Sequence, residues 1–194
     1  MTLERWADEA VRSLVALDPL ADLPRTGWLM RGVRPCESIA DHSFGVALVA
    51  MLLIDGARLS GERVDGERCL RMALVHDAPE ARLGDVPMPV KSAELDRALS
   101  EIEQRLVQSL LGEDARALWV ELEAAQTVES RIVRVADKAH MMLKASVYER
   151  QGRGRLDEFW ANAKTFDARG IAAADALFDA ICRSAGRARP RGAG

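Results

Sequence analysis

The chain has 194 residues, of which 48% are hydrophobic, and it carries a formal net charge of -3 with a pI near 5.7. This length and composition suit one domain with a buried core. The mildly acidic balance gives no general attraction to nucleic acid polymers or anionic membranes, so we expect neither as a partner.

The apolar residues recur at helical spacing from the start of the chain. They predict a helix over residues 3–17, which Pro19 ends, and then an irregular segment over residues 20–35 with several prolines and glycines. The next helix is expected over residues 39–54, followed by a surface loop over residues 55–66.

The second half of the chain continues this helical pattern. A helix is predicted over residues 67–78, where Pro79 bends the chain, and two prolines predict a loop over residues 84–91. The remaining predicted helices cover residues 92–111, 114–125, 129–150 and 155–182. One domain is therefore expected over residues 1–186, with residues 187–194 as a disordered basic tail.

Neither a targeting segment nor a disulfide framework is indicated. The N-terminus carries acidic residues where a signal peptide needs basic ones, and the apolar stretch at residues 46–54 is far short of the roughly 20 residues that span a bilayer. Cys36, Cys69 and Cys182 lie far apart without a Cys-x-x-Cys pair, which is typical of a reducing compartment. We therefore expect a cytoplasmic protein without a membrane helix.

Two histidines and two aspartates form a candidate metal-ligand set: His42, His76, Asp77 and Asp137. Two imidazoles and two carboxylates leave open positions for water and substrate, and they suit manganese, cobalt, iron or zinc. Adjacent residues of a helix point about 100° apart, so the His-Asp pair converges on one ion only at a helix end or bend. Pro79 is placed to make such a bend.

Each of these residues also has an ordinary structural interpretation. A His-Asp pair is common by chance, and His42 lies where it would neighbour a helix cap. Asp137 follows an apolar run and has Arg134 and Lys138 as candidate partners, although a buried carboxylate can equally be metal-bound. The joint occurrence of the four residues, with further carboxylates just beyond the His-Asp pair, favours the metal site.

The order of these residues resembles the metal set of the HD-domain phosphohydrolase superfamily, and the surrounding strings are most similar to the HD-domain 5′-deoxynucleotidases. Those strings are Pro-Arg-Thr-Gly-Trp-Leu-Met-Arg (24–31), Glu-Ser-Ile-Ala-Asp-His-Ser (37–43), the stretch 73–87 and Val-Ala-Asp-Lys (135–138). The resemblance covers roughly residues 3–150. It implies an all-α, single-domain helical bundle in which these four residues bind one catalytic divalent metal ion.

The resemblance also implies roles for residues near the metal set. Glu80 corresponds to a glutamate that orients the attacking water, and Asp85 to a pocket aspartate that contacts the sugar or assists proton transfer. Arg25 is expected to hold the 5′-phosphate, with Arg31 as its rival, and Trp28 to pack on the base. Trp28 is equally well interpreted as a core or lid aromatic residue.

The implied function is that of a metal-dependent phosphomonoesterase. It would hydrolyse (deoxy)ribonucleoside 5′-monophosphates to nucleoside and phosphate through a metal-bound water. Two alternatives stay open: a phosphohydrolase for a modified or polyphosphorylated nucleotide, and an HD protein that binds a nucleotide without hydrolysing it.

Two further expectations concern the third histidine and the C-terminal segment. His140 shares a predicted helix face with Asp137, but no histidine lies between Asp77 and Asp137, so we expect one metal ion, with His140 at the pocket edge or surface. A homodimer is suggested by apolar residues near the C-terminus, namely Phe159, Trp160, Phe166, Ile171, Leu177, Phe178 and Ile181.

Overall fold

The computed structural model describes residues 2–87 and 92–190, and its regular secondary structure in these ranges is helical. The α-helices are α1 (Leu3–Leu17), α2 (Thr26–Leu29), α3 (Ile39–Leu59), α4 (Gly66–Val75), α5 (Glu80–Leu83), α6 (Ala93–Leu110), α7 (Glu113–Ala124), α8 (Val128–Arg150), α9 (Asp157–Ala161) and α10 (Ala172–Ser184). Within the described residues, two short 3₁₀ helices cover Asp18–Ala21 and Ala163–Phe166. The predicted all-α helical bundle is confirmed, while most of the predicted loop at residues 84–91 lies outside the described residues.

The two longest helices, α3 and α8, pack against each other at the centre of the molecule. Helices α4 and α10 each contact both of them, and α7 contacts α4 and α8. Each central helix carries a long series of buried residues, because more than one of its faces meets another helix. His42 on α3 and Asp137 on α8 therefore lie on rigid elements that meet in the core.

Helix α3 is the one helix among the described residues that is long and apolar enough to cross a membrane, with a mean hydropathy of 1.5. Half of that window is buried inside this fold, and a core helix of a soluble protein satisfies the same criterion. Its packing on α4, α8 and α10 is that of a core helix. The cytoplasmic location stays a prediction.

Helix α3 extends further than predicted, to Leu59 instead of Ile54. The predicted loop began at Asp55-Gly56, but Gly56 lies inside the helix, at a point where α10 approaches it closely. A Cβ added to Gly56 would lie 2.9 Å from the Cβ of Ala173. The glycine is therefore a packing residue and not a turn residue.

The prediction of a single helix over residues 155–182 is wrong. The segment forms α9, a 3₁₀ helix and α10, and the chain between the last two contains Arg169 and Gly170 with φ angles of 50° and 74°. Positive φ angles are incompatible with a right-handed helix. The predicted helix therefore breaks before α10.

The surface predicted for a homodimer is also wrong. Five of the seven residues predicted for it are less than 5% exposed within this chain, namely Trp160, Phe166, Ile171, Phe178 and Ile181. The other two, Phe159 and Leu177, are partly buried against the same core. They join the main hydrophobic core, because α10 packs on α3 and α8. A homodimer stays a prediction, and another surface would have to form it.

Basic side chains after α10 contact the helical body. Arg187 pairs with Glu149 at 2.9 Å, and Arg189 pairs with Asp175 at 2.8 Å. These contacts differ from the solvated tail that the sequence indicated. Residues 191–194 lie outside the described residues, and the domain boundary at residue 186 stays a prediction.

Candidate metal centre and active site

The start of α3 fixes the position of His42. Ser38 caps the helix by accepting the Asp41 backbone N–H at 3.0 Å, and the Asp41 carboxylate accepts the Ser38 N–H at 2.9 Å. This capping box sets where the first turn begins. His42 follows it, is fully buried, and brings its Nε2 to 3.2 Å from Oδ1 of Asp137 on α8.

His76 lies at the end of α4, where the chain turns. The helix ends at Val75, and Pro79 precedes the short helix α5, so the bend predicted from this proline is present. Nδ1 of His76 lies 2.7 Å from the Ala73 carbonyl oxygen. A proton on Nδ1 satisfies that carbonyl and leaves Nε2 free to bind a ligand.

The four predicted metal ligands meet at one place. One ligand atom each of His42, His76 and Asp137 lies within 4.8 Å of the others. Oδ2 of Asp77 lies 3.1 Å from Nε2 of His76 and 3.9 Å from Nε2 of His42. Atoms separated by 95 residues of sequence therefore converge, as the metal-site interpretation requires.

The chemistry of this donor set fits a divalent cation. Nε2 of His76 is buried and makes no hydrogen bond of acceptable geometry within the described part of the chain, and the same holds for Oε2 of Glu80. A buried polar atom without a partner is costly. A cation among two imidazoles and two carboxylates would satisfy the histidine atom.

Arg25 occupies the acidic side of the site. Its Nη1 lies 3.2 Å from Oδ2 of Asp77, 3.0 Å from Oδ1 of Asp85 and 3.6 Å from Oε2 of Glu80. The second oxygen of Asp85 accepts the backbone N–H of Gly27 at 3.1 Å. Asp85 thus holds both the Arg25 side chain and the start of α2.

A backbone contact places Arg25 there. Pro24 and Ser38 form an isolated antiparallel bridge, and the Arg25 N–H donates to the Glu37 carbonyl oxygen at 3.0 Å. The segment before α2 is therefore tied to the residues that precede α3. This tie brings the predicted phosphate-binding arginine beside the metal ligands, although 52 residues separate it from Asp77.

The site carries more negative than positive groups. Among the described residues, Arg25 contacts three carboxylates here, and a second cation, Lys138, contacts the fourth carboxylate, that of Asp137. Burial, together with the charge of Asp77, raises the pKa of Glu80 to about 10. Although burial alone would lower the pKa of Arg25, Asp77 and Asp85 raise it above its ordinary value. An additional cation is therefore favoured electrostatically.

Trp28 lines the cavity but is mostly covered by its neighbours. Only 3% of the residue is exposed, and its ring packs on Tyr148 and Phe159 with centroid distances of 5.4 and 4.9 Å. Its Nε1 donates to the buried Glu37 carboxylate at 2.8 Å. These contacts are those of a core residue in the cavity wall, and its contact with a base stays a prediction.

Arg31 lies at the other end of α2 from Arg25. It pairs with Glu158, donates to the Gly27 carbonyl oxygen at 3.3 Å, and lies over the Phe159 ring at 5.2 Å. No contact joins it to the metal ligands among the described residues. Between the two rivals, Arg25 is the arginine at the acidic cluster.

The expectation for His140 is wrong, because this residue is neither at the surface nor at the cavity edge. It is 9% exposed, and its Nδ1 lies 3.0 Å from Nδ1 of His42. Burial, followed by the charge of His42, lowers the pKa of His140 to about 3. Its position three residues after Asp137 was the available signal, because that spacing puts both residues on one helix face.

Glu37 is a site residue that the sequence did not single out. Its carboxylate is 2% exposed and lies 3.9 Å from both His42 and His140, and 3.5 Å from Nζ of Lys144. The residue precedes the cap of α3 and looks like an ordinary loop glutamate in the sequence. Its burial follows from the packing of that loop on α8, which the local sequence does not encode.

A cavity of about 320 Å³ opens over the ligand set. Its walls include the predicted metal ligands together with Arg25, Trp28, Arg31, Glu80 and Asp85. The volume is at the lower end of small-molecule sites. All the residues predicted to act in the site therefore line one cavity.

Comparisons with known proteins agree with this geometry. The model of the HD domain family matches residues 17–175. The human protein named 5′-deoxynucleotidase HDDC2 is 36% identical over 149 residues, which are 73% of this chain and 70% of the human protein.

Solved structures show the same architecture. The PH0347 protein from Pyrococcus horikoshii OT3 matches with a TM-score of 0.77 and 35% identity, covering 91% of this chain and 98% of that protein. The cyanophage S-2L HD phosphohydrolase DatZ, bound to dA and one catalytic Zn²⁺ ion, matches with a TM-score of 0.61 and 21% identity, covering 89% of this chain and 95% of that one. With its helical fold, its His-Asp pair and this match over most of its length, the chain belongs to the HD-domain family.

Proposed function

We propose that this protein is a metal-dependent phosphomonoesterase that hydrolyses (deoxy)ribonucleoside 5′-monophosphates to nucleoside and inorganic phosphate. The observation that carries the proposal is the convergence of two histidines and two aspartates beside an arginine and a partly buried glutamate in one cavity. The similarity to a curated 5′-deoxynucleotidase supports the substrate class.

The proposed metal site consists of four side chains: His42, His76, Asp77 and Asp137. A divalent ion bound there supplies a Lewis acid that polarises the phosphoryl group and makes a water more acidic. Cobalt, manganese, iron and zinc are the candidate metals, because the donors are imidazole nitrogen and carboxylate oxygen. The single catalytic zinc ion of the cyanophage protein, which shares the fold, makes zinc a metal to test.

Glu80 is proposed to orient the attacking water and to take its proton. Its Oε2 is buried, has no hydrogen-bond donor among the described residues, and belongs to the residue that opens α5 directly after the metal ligands. A cation held by the adjacent metal ligands would lower the pKa of Glu80 again, and the ionised carboxylate could then accept a hydrogen bond from water. General-base catalysis of this kind contributes roughly 10²- to 10⁴-fold to the rate.

Arg25 is proposed to bind the phosphate and to offset the charge that develops on its oxygens. A guanidinium offers five N–H donors, so it can bind oxygens of the substrate while it keeps its contact with Asp85. Asp85 is proposed to hold Arg25 in this position and to contact the sugar. Trp28 and Arg31 complete the proposed substrate-binding set as parts of the cavity wall.

The alternatives use the same metal ligands and differ in substrate. A modified or polyphosphorylated nucleotide would place more atoms in the cavity, whereas a non-catalytic nucleotide-binding protein would have no use for Glu80. The excess of carboxylates around the ligand set favours bound metal and hydrolysis over simple binding of an anion.

The test is metal-dependent phosphate release from a panel of ribo- and deoxyribonucleoside mono-, di- and triphosphates. We expect release from monophosphates with wild-type protein, loss of release in Glu80→Ala, and unchanged release in Glu67→Gln, whose side chain is 82% exposed. If the purified protein carries no metal and His76→Ala leaves nucleotide binding and all activity unchanged, the proposal is refuted.

A further inference from the structure

We infer that His140 is a positioning residue for the metal ligand His42, acting through a hydrogen bond between the two Nδ1 atoms. This inference rests on the metal site of the proposed function. It concerns how this chain prepares His42 for a cation, and it gives a role to a buried histidine that the proposed reaction does not use.

The geometry around His42 separates its two ring nitrogens. Nε2 faces the ligand set, 3.2 Å from Oδ1 of Asp137. Nδ1 points away from it, 3.0 Å from Nδ1 of His140, whereas Oε1 of Glu37 lies 3.9 Å away, beyond hydrogen-bond range. His140 is therefore the partner that satisfies the second nitrogen of His42.

Hydrogen-bond chemistry then fixes the proton positions. Nε2 of His42 binds a cation only through its lone pair, so the ring proton must lie on Nδ1 and must be donated to an acceptor. Nδ1 of His140 accepts it only if His140 carries its own proton on Nε2. That nitrogen lies 3.9 Å from Oε2 of Glu37, which is too far for a hydrogen bond, but the negative charge of the carboxylate favours a proton on the nitrogen that faces it.

The hydrogen bond reverses when the cation is removed. Without a cation, the Asp137 carboxylate takes a hydrogen bond from Nε2 of His42, because a carboxylate only accepts. Nδ1 of His42 is then unprotonated and accepts from Nδ1 of His140. Metal binding therefore exchanges the tautomers of two adjacent histidines, which is a measurable consequence.

The helix packing shows that room is kept for the His140 ring. A Cβ on Gly45 of α3 would lie 2.0 Å from Nε2 of His140. Gly45 follows the ligand His42 by three residues on α3, and His140 follows the ligand Asp137 by three residues on α8. Gly45 therefore faces the His140 ring one turn beyond the two ligands. Any larger residue at position 45 would displace the ring from His42.

A second metal site formed by Glu37, His42 and His140 is the competing interpretation, since ligand atoms of these residues lie within 4.8 Å of one another. The carboxylate of Glu37 is already paired. Lys144 brings a positive charge to 3.5 Å from its Oε2, and the Trp28 indole donates to Oε1 at 2.8 Å. Lys144 thus supplies the positive charge that a second ion would bring, and the positioning role is favoured.

The first test measures zinc affinity by competition with a chelator. His140→Leu removes the acceptor and is expected to bind zinc roughly 10- to 100-fold more weakly than wild type. His140→Asn keeps an acceptor near Nδ1 and is expected to regain most of that affinity. Equal zinc affinity in wild type and His140→Leu would overturn the inference. It would also be overturned if the wild-type chain bound two zinc ions and His140→Leu bound only one.

The second test does not depend on a variant that folds. The chain has only three histidines, so nitrogen NMR of the histidine-labelled wild-type protein resolves each ring. With zinc we expect His42 protonated at Nδ1 and His140 at Nε2, and after chelation the opposite tautomers. A zinc-loaded protein in which Nδ1 of His42 is unprotonated, or in which His140 itself binds zinc, contradicts the inference.

The outcome also separates this inference from the proposed function. Phosphate release together with unchanged zinc affinity in His140→Leu refutes the positioning role alone. Weakened zinc affinity in His140→Leu, in a protein that releases phosphate from no nucleotide, supports the positioning role and refutes the proposed function.

Discussion

Arg25 and Arg31 lie on the same short segment but in different surroundings. Arg25 contacts three carboxylates of the site, whereas Arg31 pairs with Glu158, whose side chain is 58% exposed. We expect Arg25→Ala to lower kcat/KM for a nucleoside monophosphate by roughly 10²-fold or more, because it removes donors that face developing charge. Arg31→Ala should have a much smaller effect.

Steady-state kinetics of both variants, with circular dichroism to verify folding, distinguish the two arginines. Arg25→Lys is the matched variant, since it keeps the charge but loses the planar set of donors, and we expect it to recover only part of the lost activity. A larger loss in Arg31→Ala than in Arg25→Ala would assign the phosphate to Arg31 instead.

Trp28 is expected to matter more for stability than for substrate affinity. Trp28→Phe removes the indole donor from the buried Glu37 carboxylate, which should lower the free energy of unfolding by about 1–3 kcal/mol. Urea denaturation measures this loss, and Trp6→Phe is the control because Trp6 is 56% exposed on α1. A many-fold rise in KM at unchanged stability would show instead that the ring carries the base.

At the scale of helices, local patterns predicted most elements because each helix has its own periodicity and end signals. Pro79 correctly marked the turn after His76, and Ser38 the start of α3. Gly56 was misinterpreted as a turn residue because the contact that accounts for a glycine there is with Ala173, which is remote in sequence. The contact between His42 and His140 escaped prediction for the same reason, since it depends on how α3 and α8 pack.

The packing of α3 on α8 gives a prediction about Gly45. Gly45→Ala introduces a methyl group into the space of the His140 ring, and we expect the free energy of unfolding to fall by about 1–3 kcal/mol and zinc to bind more weakly. Urea denaturation and chelator competition measure the two effects.

Gly66→Ala is the control for this helix-glycine substitution. The nearest atom to a Cβ added at position 66 would be the end of the flexible Arg58 side chain, at 3.1 Å, which can move aside. Alanine also has a higher helix propensity than glycine. Stability should therefore be unchanged or slightly higher. If Gly45→Ala and Gly66→Ala lower the free energy of unfolding equally, the loss in Gly45→Ala does not come from a clash with the His140 ring.

At the scale of the whole molecule, the ligand set joins parts of the chain that are distant in sequence. The resemblance predicted which residues belong to it, but only the fold shows that Arg25 and Glu37 reach the same region through the bridge between Pro24 and Ser38. The prediction of a dimer surface was wrong for a related reason. Apolar periodicity indicates that one face of a helix is buried, but it does not indicate whether the same chain or a partner chain buries it. α10 is covered by its own chain.

Because the metal ligands come from α3, from the turn after α4 and from α8, bound metal should stabilise the entire fold. A ligand that binds only the folded state at 100 times its Kd adds about 2.7 kcal/mol to the free energy of unfolding. We therefore expect zinc or cobalt to raise the Tm and EDTA to lower it. Differential scanning fluorimetry over a metal titration measures the shift.

Asp137→Asn separates specific binding from a general effect of the ion. It removes the ligand charge contributed by α8, and its Tm should depend only weakly on added metal, whereas Glu67→Gln should respond as wild type does. If Asp137→Asn shows the full wild-type shift, the stabilising ion binds elsewhere. If wild type shows none at saturating metal, the four side chains do not form a metal site, because binding to the folded state alone must raise the Tm.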